Sequence, residues 1–300
     1  MPVLLEQSIE GLVANPHGTF VDVTFGGGGH SRAILQALAP DGRLVAFDRD
    51  ADALVNAIAD ERFELIHEDF RYMKNFLRLH GVSRADGILA DLGVSSHQFD
   101  QPDRGFSTRF DADLDLRMDR RQALTAADLV NSASEQELGA ILRNYGELPN
   151  AHRMARAIVQ ARSEAPIRTT FQLKNILESL VPRNQENKFF AMIFQALRIE
   201  VNGELEALKV LLMQAVDILN PGGRLVVISY HSLEDRLVKN IMKTGNFEGE
   251  VKKDFYGNLL SPLEPITRKP VVADEYEQSA NPRSRSAKLR IAEKKQPQTN

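Results

Sequence analysis

The 300-residue sequence contains no cysteine and no tryptophan. Without cysteine there can be no disulfide, no disulfide-linked partner, no thiolate metal site and no thiolate nucleophile. The same absence fits a reducing compartment, so a cytoplasmic location is expected. An excess of positive charge is also missing: the formal net charge is -4, from 37 Lys and Arg against 41 Asp and Glu. A nucleic-acid partner would therefore be met by local patches, not by the field of the whole chain. No apolar run approaches the length of a bilayer-spanning helix. The stretch Met1 to Val13 carries Glu6 and Glu10 but no Lys or Arg, unlike the basic start of a secretory leader. No membrane association is expected.

Apolar residues make up 43% of the chain, enough for a sizeable core. In the first third, strands alternate with helices. Thr19–Val23, Arg43–Phe47, Phe63–Ile66 and Gly87–Ala90 are short apolar runs, and Ser31–Ala39 and Ala51–Ala59 have helical spacing. Such alternation predicts an α/β fold, a doubly wound and mostly parallel sheet with helices on both faces. From Ser95 to about Asn202 the strand signals stop. Helical spacing recurs at Gln122–Val130, Glu135–Asn144, Ala151–Ala161, Phe171–Leu180 and Lys188–Ile199. The first pattern then resumes with a helix at Glu204–Leu219, a stop at Asn220-Pro221-Gly222-Gly223, a strand at Arg224–Tyr230 and a helix at Leu233–Met242. A polar stretch over roughly 245–281 leads to a last strand, Ala287–Ala292, and a solvated tail. The gap between the fourth and fifth strands far exceeds an ordinary crossover. The chain thus reads as a core of residues 1–100 and 202–300, interrupted by an all-helical subdomain at 101–201.

Asp22-Val23-Thr24-Phe25-Gly26-Gly27-Gly28-Gly29-His30 joins the first strand to its helix. Glycines let the backbone approach a ligand, and a helix start offers free N–H donors, although a purely structural turn uses the same residues. A phosphate-binding loop of the Walker type needs Lys and then Ser or Thr after the last glycine. Here His30 and Ser31 follow, so that reading fails. A dinucleotide loop would want a third glycine at Ser31, yet Asp48 stands where its acidic residue belongs. An oxidoreductase therefore stays open. The aspartates discriminate further. Asp22, Asp48, Asp69 and Asp91 fall at or just beyond the ends of successive predicted strands, which share one rim in an open parallel sheet. Such a rim would repel a pyrophosphate. It suits a phosphate-free ligand with a sulfonium, an ammonium, ribose hydroxyls and an adenine amine, namely S-adenosyl-L-methionine. Asp48 would accept the ribose hydroxyls, Asp69 and Phe70 would address the adenine, and Asp91 with the Gly28-Gly29-His30 backbone would lie near the methionine end. Taken singly, each aspartate could equally be a helix cap or turn residue.

Longer motifs carry a resemblance. Val3-Leu4-Leu5-Glu6, Thr24-Phe25-Gly-x-Gly-Gly-His30-Ser31, Phe47-Asp48-x-Asp50 and Asp91-Leu92-Gly93-Val94-Ser95-Ser96-x-Gln98 are four of them. Arg104-Gly105-Phe106-Ser107, Leu114-Asp115-x-Arg117-Met118-Asp119, Ser229-Tyr230-His231-Ser232-Leu233-Glu234-Asp235-Arg236 and Asn281-Pro282-Arg283-Ser284-Arg285-Ser286 complete the set. Together, over essentially the whole chain, they resemble the bacterial small-subunit ribosomal RNA cytosine-N4 methyltransferases, the RsmH or MraW family. The resemblance implies a Rossmann-like S-adenosylmethionine methyltransferase core with an inserted helical, substrate-binding subdomain. It further implies an enzyme that methylates the exocyclic N4 amine of one cytosine in the decoding region of 16S rRNA, with the small ribosomal subunit as partner. Matching motifs assign the cofactor to Gly28, Gly29, His30, Asp48, Phe70, Asp91 and Gln98.

An exocyclic cytosine amine is a poor nucleophile, and an acceptor for its protons would help it react. Asp91, at the end of the fourth strand, is the candidate. Tyr230 and His231 end the fifth strand and are further catalytic candidates; Tyr230, or less well Phe106, would stack on the base. Absence of cysteine argues against carbon-5 methylation, which commonly needs a thiolate. No metal-ligand constellation is visible. Basic residues of the insert (Arg153, Arg156, Arg162, Arg168, Lys174, Arg183, Lys188) and of the tail (Arg283, Arg285, Lys288, Arg290, Lys294, Lys295) form the expected RNA-facing side. A competing expectation is a non-catalytic assembly factor that binds RNA and S-adenosylmethionine as a structural ligand.

Overall fold

The computed structural model describes residues 2–95, 98, 101 and 104–296. Ser96 of the fourth-strand motif and Asp100 at the expected domain boundary lie outside the described residues. The chain divides into two compact units, Met1–Gly93 with Leu205–Asn300, and Val94–Glu204.

The first unit is built on one seven-stranded sheet. Its strands are β1 (Thr19–Asp22), β2 (Arg43–Phe47), β3 (Phe63–Ile66), β4 (Ala85–Asp91), β5 (Leu219–Ser229), β6 (Leu263–Pro265) and β7 (Lys288–Lys294), in the order β3-β2-β1-β4-β5-β7-β6. The pairings from β3 across to β5 are parallel, and β7 runs antiparallel to both β5 and β6. Successive side chains leave a strand on opposite faces, so these apolar runs need cover on both sides. Phe20, Leu44, Leu89, Val226 and Ile228 pack with Leu4, Leu12, Ile34 and Leu35, supplied around helices α1 (Leu5–Leu12) and α2 (Gly29–Ala37). Val21, Val45, Phe47, Ile88, Leu225 and Val227 pack on the other face. Their cover comes from Met73 and Leu77 of α3 (Met73–Leu79), and from Leu208 and Leu212 of α9 (Glu204–Ile218).

The Val94–Glu204 unit is helical, with α4 (Ala126–Ser132), α5 (Glu135–Asn144), α6 (Ala151–Glu164), α7 (Thr170–Leu177) and α8 (Glu186–Asn202) around its own apolar core. Three of these helices begin at reciprocal caps, Thr125 with Asp128, Ser134 with Glu137 and Thr169 with Gln172. The loop ahead of α4 is fastened from inside. The buried Arg104 guanidinium donates to the Arg117 and Met118 carbonyls, and the Asn202 amide bridges the same loop to α8.

Several expectations need correction. Ala51–Ala59 is a short 3-10 turn, Ala51–Asn56, whose start is capped by the Asp50 carboxylate. The polar stretch after residue 245 holds β6 and a short helix at Glu275–Ala280. The last strand begins one residue later than expected and runs on to Lys294, two residues past its expected end. Within it Arg290 is buried against Asp235 at 2.6 Å, and the Lys294 amine donates to the Val216 carbonyl. Among the described residues, no helix is long and apolar enough to cross a membrane.

Candidate active site

The sheet order reverses between β1 and β4, which places the first crevice of the carboxyl-end rim between their ends. Asp22 ends one of these strands and Asp91 the other. The glycine loop follows β1 directly. Gly28 sits at φ +72°, where a side chain would also meet the Phe25 ring, and a Cβ on Gly29 would lie 2.3 Å from Pro2. Gly27 differs from both: a Cβ there would meet nothing within 4 Å. Gly27 is exposed, and no protein neighbour demands a glycine at that position.

The four aspartates do not play equal parts. Asp22 is fully buried and turned inward, accepting from Ser31 Oγ at 2.6 Å and from the Thr24 amide at 3.1 Å. It braces the glycine loop. Asp69 caps the turn that begins at Phe70 and is paired with Arg49 at 3.1 Å, so it is not an open acceptor for an adenine amine. Phe70 remains partly exposed beside the core of the first unit.

Asp48, just past β2, has a more open environment. Its two carboxylate oxygens accept the Gly26 and Asp50 amides at 2.7 and 2.8 Å. Each oxygen keeps a further lone pair, the requirement for binding a pair of hydroxyls. Burial outweighs the two amides and pushes the carboxyl up to about 6.

Asp91 has the densest polar surroundings. Its amide donates to Thr24 Oγ1 at 2.7 Å, and its Oδ1 accepts the Tyr230 hydroxyl at 2.7 Å. Its Oδ2 lies 3.6 Å from His30 Nδ1. The other nitrogen of His30 is 3.1 Å from the Val3 carbonyl, which can only accept, so Nε2 carries a proton and Nδ1 faces the carboxylate. Burial is the main cause that raises the Asp91 carboxyl above its ordinary value, with His30 and the Tyr230 hydroxyl working against it. Tyr230 is shifted upward as well, first by burial and then by the Asp91 charge, so it remains a phenol that donates.

Two sequence candidates receive other placements. His231 is the N-cap of α10 (Ser232–Thr244), where its ring accepts from the Glu234 amide, while the Glu234 carboxylate accepts from the Tyr230 amide at 2.9 Å. Its ring is held as a cap that orients Tyr230. Phe106 is buried in the core of the helical unit, with the Arg104 guanidinium 5.8 Å from its ring, and is not available to stack on a base. Gln98 belongs to the helical unit, where its side chain accepts from the Ser95 amide. The missed residues are Thr24 and Ser31, which lie inside the glycine motif itself. Their hydroxyls were the available signal, because an aspartate ending a strand beside Ser or Thr commonly braces the loop that follows.

A seven-stranded sheet with one antiparallel strand near its edge, a glycine loop after β1, and acids after β2 and β4 defines a Rossmann-like methyltransferase fold. The chain belongs to the MraW methylase family, whose model matches residues 1–295. Among its relatives is the ribosomal RNA small subunit methyltransferase H of Flavobacterium johnsoniae, 57% identical over 98% of this chain and 97% of that protein. The protein of the same name from Bacteroides thetaiotaomicron is 56% identical over the same shares.

Proposed function

We propose that this protein transfers a methyl group from S-adenosyl-L-methionine to the exocyclic N4 amine of a cytosine in 16S rRNA of the small ribosomal subunit. The observation that carries the reading is Asp91, a half-buried carboxylate at the reversal point of the sheet, with Tyr230 on one oxygen and His30 beside the other. The residues fit the donor: a hydroxyl acceptor at Asp48, a partly exposed ring at Phe70, and no lysine supplied by the glycine loop for a phosphate. Gly28, Gly29 and His30 complete the proposed binding set on the sheet unit.

When bound, S-adenosylmethionine supplies a methyl group on a sulfonium. Asp48 would hold the ribose, and Phe70 would address the adenine. Asp91 Oδ2 accepts the proton that the cytosine amine sheds as its lone pair is drawn out of conjugation. Tyr230 is a positioning residue. Its hydroxyl fixes Oδ1 and leaves Oδ2, beside His30, as the oxygen that would take the proton, and the His231–Glu234 cap fixes Tyr230 in turn.

The Val94–Glu204 unit is the proposed RNA-facing part. Arg153, Arg168, Arg183 and Lys188 are exposed there, whereas Arg162 caps carbonyls of Val130 and Ala133, and Lys174 is held over the Phe171 and Phe190 rings. Only the first group can meet phosphates without loosening the fold. The test is transfer of a radiolabelled methyl group to small subunits from cells lacking the protein, followed by mass spectrometry of the nucleosides. N4-methylcytidine is expected. A methyl group on carbon 5, or on no RNA, would overturn the assignment.

A further inference from the structure

Between α10 and β6 the chain makes a small hairpin that the site above does not use. Lys253 bridges Leu259, the Leu260 amide donates to the Lys252 carbonyl, and the Asp254 amide donates to Asn258. The turn is locked by Asp254, whose carboxylate accepts the Tyr256 and Asn258 amides and the Asn258 side chain. Those donors hold the Asp254 carboxyl below its usual range, so it is ionised, but its charge is directed into the turn. What this rigid loop displays is apolar. Phe255 is 97% exposed and Tyr256 85%, set edge to face with their centroids 5.6 Å apart. Lys252 and Lys253 on the stem are exposed, and among the described residues neither is in an ion pair. Glu248 and Glu250 sit at the base, away from the tip.

We infer that this hairpin tip is a stacking platform for unpaired bases of the RNA substrate, with Lys252 and Lys253 meeting the adjoining phosphates. Two aromatic rings held in water by a well-bonded turn have no role in the protein's own core, and every nucleobase has a flat apolar face to cover them. A convex tip of so few residues offers far less than the roughly 800 Å² per side that a stable protein partner buries, but it suits bases taken one at a time. The inference rests on the reading that RNA is the substrate.

The chain lacks tryptophan, so Phe255→Trp installs a single fluorophore that keeps the stacking surface. Addition of a single-stranded RNA roughly a dozen nucleotides long should quench it, and the same sequence paired into a duplex should not. Phe255→Ser with Tyr256→Ser should weaken binding of the single strand about tenfold or more, with the melting temperature unchanged. Lys252→Ser with Lys253→Ser should lower the slope of log affinity against log salt by about 1.4. Unquenched fluorescence, or unchanged affinity of the double aromatic variant, would overturn the inference. So would a variant that binds RNA normally but fails to associate with intact subunits, which assigns the tip to a protein. Methyl transfer by the unmodified chain is measured in parallel. Transfer to rRNA with no effect at the tip discards the hairpin alone, whereas quenching without any transfer discards the enzymatic reading alone.

Discussion

The helical unit and the rim of the sheet unit treat charge differently. In the helical unit a buried ion is matched: Arg104 by the Arg117 and Met118 carbonyls, and Arg198 by Glu204 at 2.8 Å. On the sheet unit's rim, Asp22 is buried and Asp48 and Asp91 are half-buried against hydroxyl and amide donors, and all three carboxyls are pushed upward, whereas Asp69 and Asp235 farther off are matched by Arg49 and Arg290. Matched charges hold a structure together, whereas an acid left without a cation is destabilising unless something else needs it. The contrast separates the matched pairs, which serve the fold, from the three rim carboxylates, which are placed for chemistry.

The sharpest way to break this comparison is Asp91→Asn. It should lower the transfer rate by about 10² to 10⁴ while the protein melts no earlier than the parent. The stability half follows from sign. A carboxyl raised in the folded state is destabilising once ionised, above that raised value, and an amide removes that penalty at neutral pH. For the same reason the parent's transfer rate should fall with decreasing pH through an inflection above the usual carboxylate range. A rate within tenfold of the parent would show that Asp91 is not the proton acceptor.

Arg104→Met tests the other side. Two buried carbonyls lose their donor, so urea denaturation should report a loss of about 2–4 kcal/mol. If stability is unaltered, the buried cation does not hold the loop. The smallest effect is expected at Asp48, which shares both behaviours because backbone amides already satisfy part of it. Asp48→Asn should weaken S-adenosylmethionine binding in calorimetry by about tenfold at neutral pH, with little change in melting. The parent's affinity should itself decline as pH falls through about 6, because the protonated acid is a poorer acceptor for ribose hydroxyls. Affinity that ignores pH in that interval would remove Asp48 from the ribose.

Much of the architecture was readable because local signals agree with it. Arg43–Phe47, Phe63–Ile66 and Glu135–Asn144 have the bounds expected from periodicity, the last helped by the Ser134–Glu137 cap. Helices α1 and α3 were not evident, since runs of eight and seven residues are settled by packing on the sheet and not by pattern. The site shows the same division. Strand phase put four aspartates on one rim, but phase cannot say which of them meets a partner. Arg49 neutralises Asp69 from another loop, and Tyr230 reaches Asp91 across 139 positions. Basic residues were misleading for a related reason. Arg162, Arg290 and Lys294 look like surface charge in one dimension, and only the fold reveals the carbonyls and carboxylate they bind.

The pairing of β4 with β5 has a consequence for how the chain is made. These neighbours are separated in sequence by the entire helical unit, so the sheet cannot close until that unit has emerged and brought its two ends together. During synthesis the nascent protein should pass through a stage in which the helices have condensed while the first four strands still wait for the fifth. Pulsed proteolysis of stalled ribosome complexes, stepping the stall point through β5 and then β7, would time that wait.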